Sequence, residues 1–338
     1  MARLTQAIVN LTRLTSLSTR VLADVPFLAT ALVQRPPSYT VPAFVNVGVA
    51  GYVAGGFNGT ARVTRIDKIT FPADTKTTIA GVLSAAKTKG AGFANSSVAG
   101  YAAGGFSAAT ADYVSTIDRV AFPADTVTTL SATLSVAVNA PAGFANSGVA
   151  GYSVGGYGAG YIMSTDKITF PAETRTTISA TLSVTRDSGS GFANSGVAGY
   201  AAGNDSNVTS INKITFPADT LSALSATLTT GAAETAGFAN SGVAGYVAGG
   251  TDGANLDRID KITFPADSKT VLSATLTSGV QSSAGFANSG VAGYVAGGTT
   301  LTDRIDKITF PADTKTTLSA VLTVAVTRSY GFADSGVL

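Results

Sequence analysis

The sequence predicts an all-β fold, a six-bladed β-propeller of four-stranded blades, preceded by a short N-terminal segment of helical and extended character. Three recurring segments predict it. Gly-Tyr-x-x-Gly-Gly or a close variant returns with its tyrosine at Tyr52, Tyr101, Tyr152, Tyr200, Tyr246 and Tyr294. Phe-Pro-Ala-Asp/Glu returns at Phe71, Phe122, Phe170, Phe216, Phe264 and Phe310. Phe-Ala-Asn-Ser begins at Phe93, Phe144, Phe192, Phe238 and Phe286, with variants at Phe44 and Phe332. The period of 46–51 residues is that of propeller blades and exceeds the roughly 33–34 of short helical repeats.

Each element of a repeat can be placed in order, taking residues 90–135. Gly92-Phe93-Ala94-Asn95-Ser96 reads as a short strand ending in a turn. Val98 to Gly104 reads as a second strand, ended by the Gly-Gly pair. Ser115 to Phe122 is a third, rich in β-branched and aromatic residues. Pro123-Ala124-Asp125-Thr126 is a turn, because proline fixes φ and an aspartate side chain bonds nearby backbone. Thr128 to Val136 is the fourth strand. The small residues of Val-Ala-Gly-Tyr-x-Ala-Gly-Gly are expected nearest the crowded axis, and Tyr101, Ile117, Phe122, Leu130 and Leu134 between blades. The array starts and ends inside a repeat, so the C-terminal strand 330–338 is expected to pair with 49–55 and close the first blade, removing open sheet edges.

Composition narrows the function. Hydrophobic residues are 45% and charged residues 12%, the latter well below the globular norm of about 25%, which argues against disorder. Net charge is +2 with no Lys/Arg cluster, so nucleic acid is not an expected partner. There is no histidine and no cysteine, which removes the usual general base and the thiolate metal sites. The apolar run from Val21 to Val33 is too short to span a bilayer and contains Asp24 and Pro26, so membrane insertion is not expected. Residues 1–23 lack the continuous apolar core of an export signal.

These residues resemble a kelch-type repeat, in which an apolar-Tyr-apolar-apolar-Gly-Gly strand is followed by an aromatic turn. Here the strand is Gly51-Tyr52-Val53-Ala54-Gly55-Gly56 and its relatives, and the turn is Phe71-Pro72-Ala73-Asp74-Thr75. Ile79, Leu130, Ile178, Leu224, Leu272 and Leu318 stand where such repeats carry Trp, and Asn204 replaces one glycine. The resemblance covers 41–338 and implies a kelch-like propeller. The blades are also similar to repeats in structural proteins of tailed bacteriophages, particularly of aquatic hosts. That resemblance implies a non-enzymatic virion component, tail-associated as a fibre or adaptor, assembled in the host cytoplasm. Its partners would be other virion proteins and a host-surface glycan or receptor, within a homo-oligomeric assembly. A lectin-like glycan-binding propeller and a capsid decoration protein are the alternatives.

Residues 1–40 read as a separate unit, a helix followed by a Pro-containing linker. Leu4, Ile8, Leu11, Leu14, Leu17 and Val21 make an apolar stripe near helical spacing. Pro26 to Pro42 reads as extended. The stripe either packs on the propeller's own flank or anchors the chain to an assembly; the anchor is the expectation taken forward.

No catalytic, cofactor or metal residue stands out. Asp67, Asp118, Asp166, Asp260 and Asp306, with Asn212 in the fourth place, share one blade position, and Asp74, Asp125, Glu173, Asp219, Asp267 and Asp313 another. Residues present in every blade read as blade-building. Lys68, Arg119, Lys167, Lys213, Lys261 and Lys307 read as solvated rim charges. Asn95, Asn146, Asn194, Asn240 and Asn288 read as hairpin-turn residues or as a ring lining an axial mouth. Variation concentrates in the loops after each Gly-Gly, and loops carry specificity on a rigid scaffold. Phe57, Phe106, Tyr113, Tyr157 and Tyr161 are the candidate contacts there; free drift of these loops is the competing reading.

Overall fold

The computed structural model describes residues 50–204 and 208–335. The chain divides into two units, Met1–Asn46 and Val47–Leu338, and every described residue lies in the second. Among the described residues all regular elements are β-strands. Six four-stranded antiparallel sheets, one per repeat, and one small three-stranded sheet give an all-β, propeller-like fold.

The second sheet shows the plan. Its strands are Ala91–Asn95, Ala99–Ala103, Ile117–Ala121 and Thr126–Thr129, each pairing with the next. The fourth is shorter than the sequence suggests, because the residues after it leave the sheet. The first sheet is built from both ends of the unit. Tyr330–Ala333 pairs antiparallel with Ala50–Ala54, placing Phe332 opposite Tyr52.

The strand nearest the common axis is the one carrying Gly-Phe-Ala, not the Ala-Gly-Tyr strand expected there. Tyr330–Ala333, Ala91–Asn95, Ala142–Asn146, Ser190–Asn194, Ala236–Asn240 and Ala284–Asn288 contact one another in a closed cycle. Its glycines allow this approach. A Cβ at Gly143 would lie 2.3 Å from the Gly92 carbonyl oxygen, and one at Gly331 2.1 Å from that of Gly285. The phenylalanine fits because alternate side chains leave opposite faces of a strand: it points sideways at the neighbouring sheet. There the glycine of Ala-Gly-Tyr makes room, as where a Cβ at Gly151 would meet the Phe93 ring at 2.1 Å.

Each interface between sheets is therefore aromatic. Phe192 stacks on Tyr200 at 5.0 Å, and Tyr200 on Phe264 of the next sheet at 5.2 Å. Such pairs contribute about 0.5–1.5 kcal/mol beyond area burial, and truncating a buried phenylalanine costs about 3–5 kcal/mol.

Polar staples complete each interface. The tyrosine hydroxyl and the third-strand cation of one sheet both reach the turn acid of the next. Tyr200 donates to Asp267 at 2.8 Å, and Lys213 at 2.6 Å. The same pairing joins Tyr52 and Lys68 to Asp125, and Tyr101 and Arg119 to Glu173. These cations are thus not the solvated rim charges read from sequence: Lys68 is 16% exposed and ion-paired across an interface. The first acid set is buried too. Asp306 accepts from the Thr277 backbone N–H at 2.9 Å and hydroxyl at 2.7 Å, fixing the preceding repeat.

Candidate functional site

Strand direction gives the unit two faces. The Asn-Ser hairpin turns and the Phe-Pro-Ala-Asp turns lie at one end of the strands; the loops after Gly-Gly lie at the other. The turn face repeats nearly unchanged. The side chain of Asn146 accepts the Gly196 N–H at 2.9 Å, and Asn95, Asn194 and Asn240 do the same to the next repeat. Ser96 N–H donates to Ser147 Oγ at 2.9 Å, and the chain of contacts runs on through Ser195, Ser241 and Ser289. The asparagines therefore serve both the turn and the join to the neighbouring sheet. Val98, Val149, Val197, Val243 and Val291 are exposed on this face. Ala50 N–H donates to Asp334 Oδ1 here at 2.9 Å.

The loop face is different. Four residues before each inner phenylalanine stand Lys89, Ala140, Ser188, Glu234, Ser282 and Arg328. All six adopt left-handed φ, between 54 and 62°. Each N–H donates to the carbonyl of its counterpart in the neighbouring repeat, Lys89 to Arg328, Ala140 to Lys89, and on through Arg328 to Ser282. These distances are 2.5–2.9 Å, and the six bonds close a ring around the axis. A cavity of about 80 Å³ opens inside it and shares walls with an axial cavity of about 100 Å³ lined by the six inner glycines.

The backbone of this ring is symmetric and its side chains are not. Lys89 and Ser282 both contact the Glu234 carboxylate. Burial opposes ionisation of Glu234, but the Lys89 ammonium, the Ser282 hydroxyl and the Arg328 charge outweigh it and hold the carboxyl below its ordinary range. Two residues earlier, two repeats carry buried cations where the others have Val138, Ala232, Val280 and Val326. Lys87 is fully buried against Asp118 at 3.2 Å. Arg186 reaches Asn212, the Gly203 carbonyl and Ser210, and burial lowers its pKa to about 10.

Outside the ring lies an aromatic arc. The Arg62 guanidinium sits 4.2 Å over the Phe106 ring. Phe106 meets Tyr113 edge-on at 5.9 Å, Tyr113 meets Tyr157 at 6.1 Å, and Tyr157 meets Tyr161 at 5.3 Å. Tyr161 is 49% exposed. Backbone pairing sets the arc beside the ring: Phe106 pairs with Thr88, Tyr157 with Asn139 and Phe57 with Thr327. Each partner immediately precedes a ring residue. The remaining repeats carry Asp205, Thr251 and Thr299 at the place of these aromatics.

The structure thus brings together four of the five candidate rim residues, and Phe57 joins them through its pairing with Arg62. The anchor candidates Leu4, Ile8, Leu11, Leu14, Leu17 and Val21 lie outside the described residues. Sequence reasoning missed the ring side chains. Their constant distance from the inner phenylalanine was the available signal. Among the described residues, no group of three or more acids could hold a metal ion. No family model matches the chain, and no curated protein matches it. Fold and site together define an all-β repeat protein with one uniform face and one varied face.

Proposed function

We propose that this protein is a non-enzymatic interaction module, a six-bladed kelch-like propeller that binds through its loop face. The observation that carries this reading is where the repeats differ. Residues that build sheets, turns and interfaces recur almost unchanged, whereas the ring at the axis and the loops after Gly-Gly vary, all on one face. Drift alone would not assemble Phe106, Tyr113, Tyr157 and Tyr161 into one contiguous arc capped by Arg62. Tyrosine and arginine are the residue types that dominate binding energy at interfaces, and the sheets behind them supply a rigid scaffold.

The resemblance of the repeats to phage structural proteins supports a place in a virion, tail-associated, with the segment before the propeller as its attachment and a host-surface glycan or receptor as the target of the loops. Binding of the purified full chain to a glycan array and to host cells tests this. A Tyr157→Ala/Tyr161→Ala double variant is expected to melt like the parent and lose at least tenfold in binding. Unchanged binding would remove the arc from the reading, and particles that lack the protein under immunogold labelling would remove the virion.

A further inference from the structure

We propose that the mouth of the axis is a binding site for a monocarboxylate on a hydroxylated body, with an acidic sugar as the ligand class. This site is distinct from the aromatic arc, and a different set of observations carries it.

The first is conformational. The six ring positions have left-handed φ, which glycine or asparagine adopts with least strain. Lys89, Glu234 and Arg328 occupy three of them. Their backbone hydrogen bonds do not need those side chains, so the ring itself gives no reason for long charged groups at strained positions.

The second is charge. Lys89 and Glu234 form an ion pair, which leaves the Arg328 charge over. Arg328 is exposed and lines the cavity, and its guanidinium has no hydrogen bond or ion pair within 4 Å among the described residues, its ring bonds being backbone bonds. The site therefore carries one net positive charge, which matches a monoanion. A phosphate dianion would exceed that charge beside the Glu234 carboxylate. A guanidinium offers a planar fork that fits a carboxylate in two parallel hydrogen bonds.

The third is the wall. Ser188, Thr235, Ser283 and Ser329 line the cavity; Thr235, Ser283 and Ser329 donate their hydroxyls to Ser190 and to the Gly297 and Gly55 carbonyls, which leaves their oxygens as acceptors for the hydroxyls of a ligand body. At about 80 Å³ the mouth takes the acidic end of a saccharide and leaves the rest on the face outside.

Saturation-transfer NMR on the full chain tests this with sodium D-glucuronate, D-glucose and inorganic phosphate as probes. Glucuronate is expected to give transfer that falls at least tenfold in Arg328→Gln, glucose to give none, and phosphate not to displace glucuronate at equal concentration. Because the ring bonds are backbone bonds, the variant is expected to keep its melting temperature. No transfer to glucuronate, equal transfer to glucose, full retention in Arg328→Gln, or displacement by phosphate would each overturn the proposal. None of these outcomes bears on the arc, which the Tyr157 and Tyr161 variants read separately.

Discussion

Tyr294 of the last repeat donates its hydroxyl to Asp74 Oδ1 of the first at 2.8 Å, across 220 residues of sequence. Lys307 reaches the other carboxylate oxygen at 2.6 Å. This is the same join found between adjacent repeats, for example from Tyr152 and Lys167 to Asp219. Hydrogen bonds to charged groups contribute about 1.5–3 kcal/mol each, reduced here by partial exposure. Asp74→Asn and Asp219→Asn are therefore expected to destabilise equally, by about 1–3 kcal/mol in urea unfolding. A silent Asp74→Asn beside a destabilised Asp219→Asn would show that the cycle is open in solution.

Asp334 occupies the position held by asparagine in the other five repeats. Burial, with help from the Asp125 charge, raises its carboxyl to about 6, against the pull of the Ala50 N–H and Lys68. A raised pKa means the folded state holds the proton more tightly than the unfolded chain. The group's contribution is present below about pH 4 and lost as pH rises through 6. Asp334→Asn is expected to stabilise the protein at pH 7 by about 1–3 kcal/mol and to change nothing at pH 4. Unfolding curves at the two pH values check this, and a gain at both would assign the effect to something other than ionisation.

The interface tyrosines predict alkaline unfolding. Burial first, and then hydrogen bonding to an acid, raises Tyr52, Tyr101, Tyr152, Tyr200, Tyr246 and Tyr294 above their ordinary range. Tyr330 is raised by burial and the Asp118 charge. Stability from these groups is complete below the unfolded value near pH 10 and falls above it by about 1.4 kcal/mol per pH unit for each tyrosine. Tyrosinate absorbance is expected to appear together with loss of the circular-dichroism signal, in one steep step above pH 10. Gradual ionisation with the fold retained would contradict the packing.

Two glycines in one repeat should respond to alanine to very different degrees. A Cβ at Gly143 meets the Gly92 carbonyl at 2.3 Å, with Gly92 N and Ala91 Cβ at 3.0 Å and nothing flexible to yield. A Cβ at Gly148 meets nothing within 4 Å, and Ser97 already holds the equivalent place at φ 58°. Gly143→Ala is expected to cost more than about 3 kcal/mol and Gly148→Ala about 1 kcal/mol. Thermal melts of the two variants give the comparison.

The strands and their pairing were legible because turn residues and apolar alternation are local signals. Which strand lies innermost was not. Small residues in Ala-Gly-Tyr suggested the axis, but Gly151 is small to admit Phe93 from the neighbouring sheet. The role of Lys68 was hidden for the same reason: its partner Asp125 lies 57 residues away, and no local pattern shows which sheet faces meet. The residues of the arc were legible, since Phe57, Phe106, Tyr113, Tyr157 and Tyr161 all stood out as aromatics in varied loops, but the edge-on contacts among them, which run from one repeat to the next, were not. The ring was not, because Lys89, Glu234 and Arg328 share a place and no chemistry.

Both ends of the described β unit lie at the hairpin end, where Ala50 N–H meets Asp334. A support attached where the chain enters or leaves 50–335 would therefore join the β unit at its turn end, opposite the ring and the arc. Coupling through lysines has no such polarity, since Lys89 itself sits in the mouth. End-tethering is therefore the format that would leave both the ring and the arc accessible.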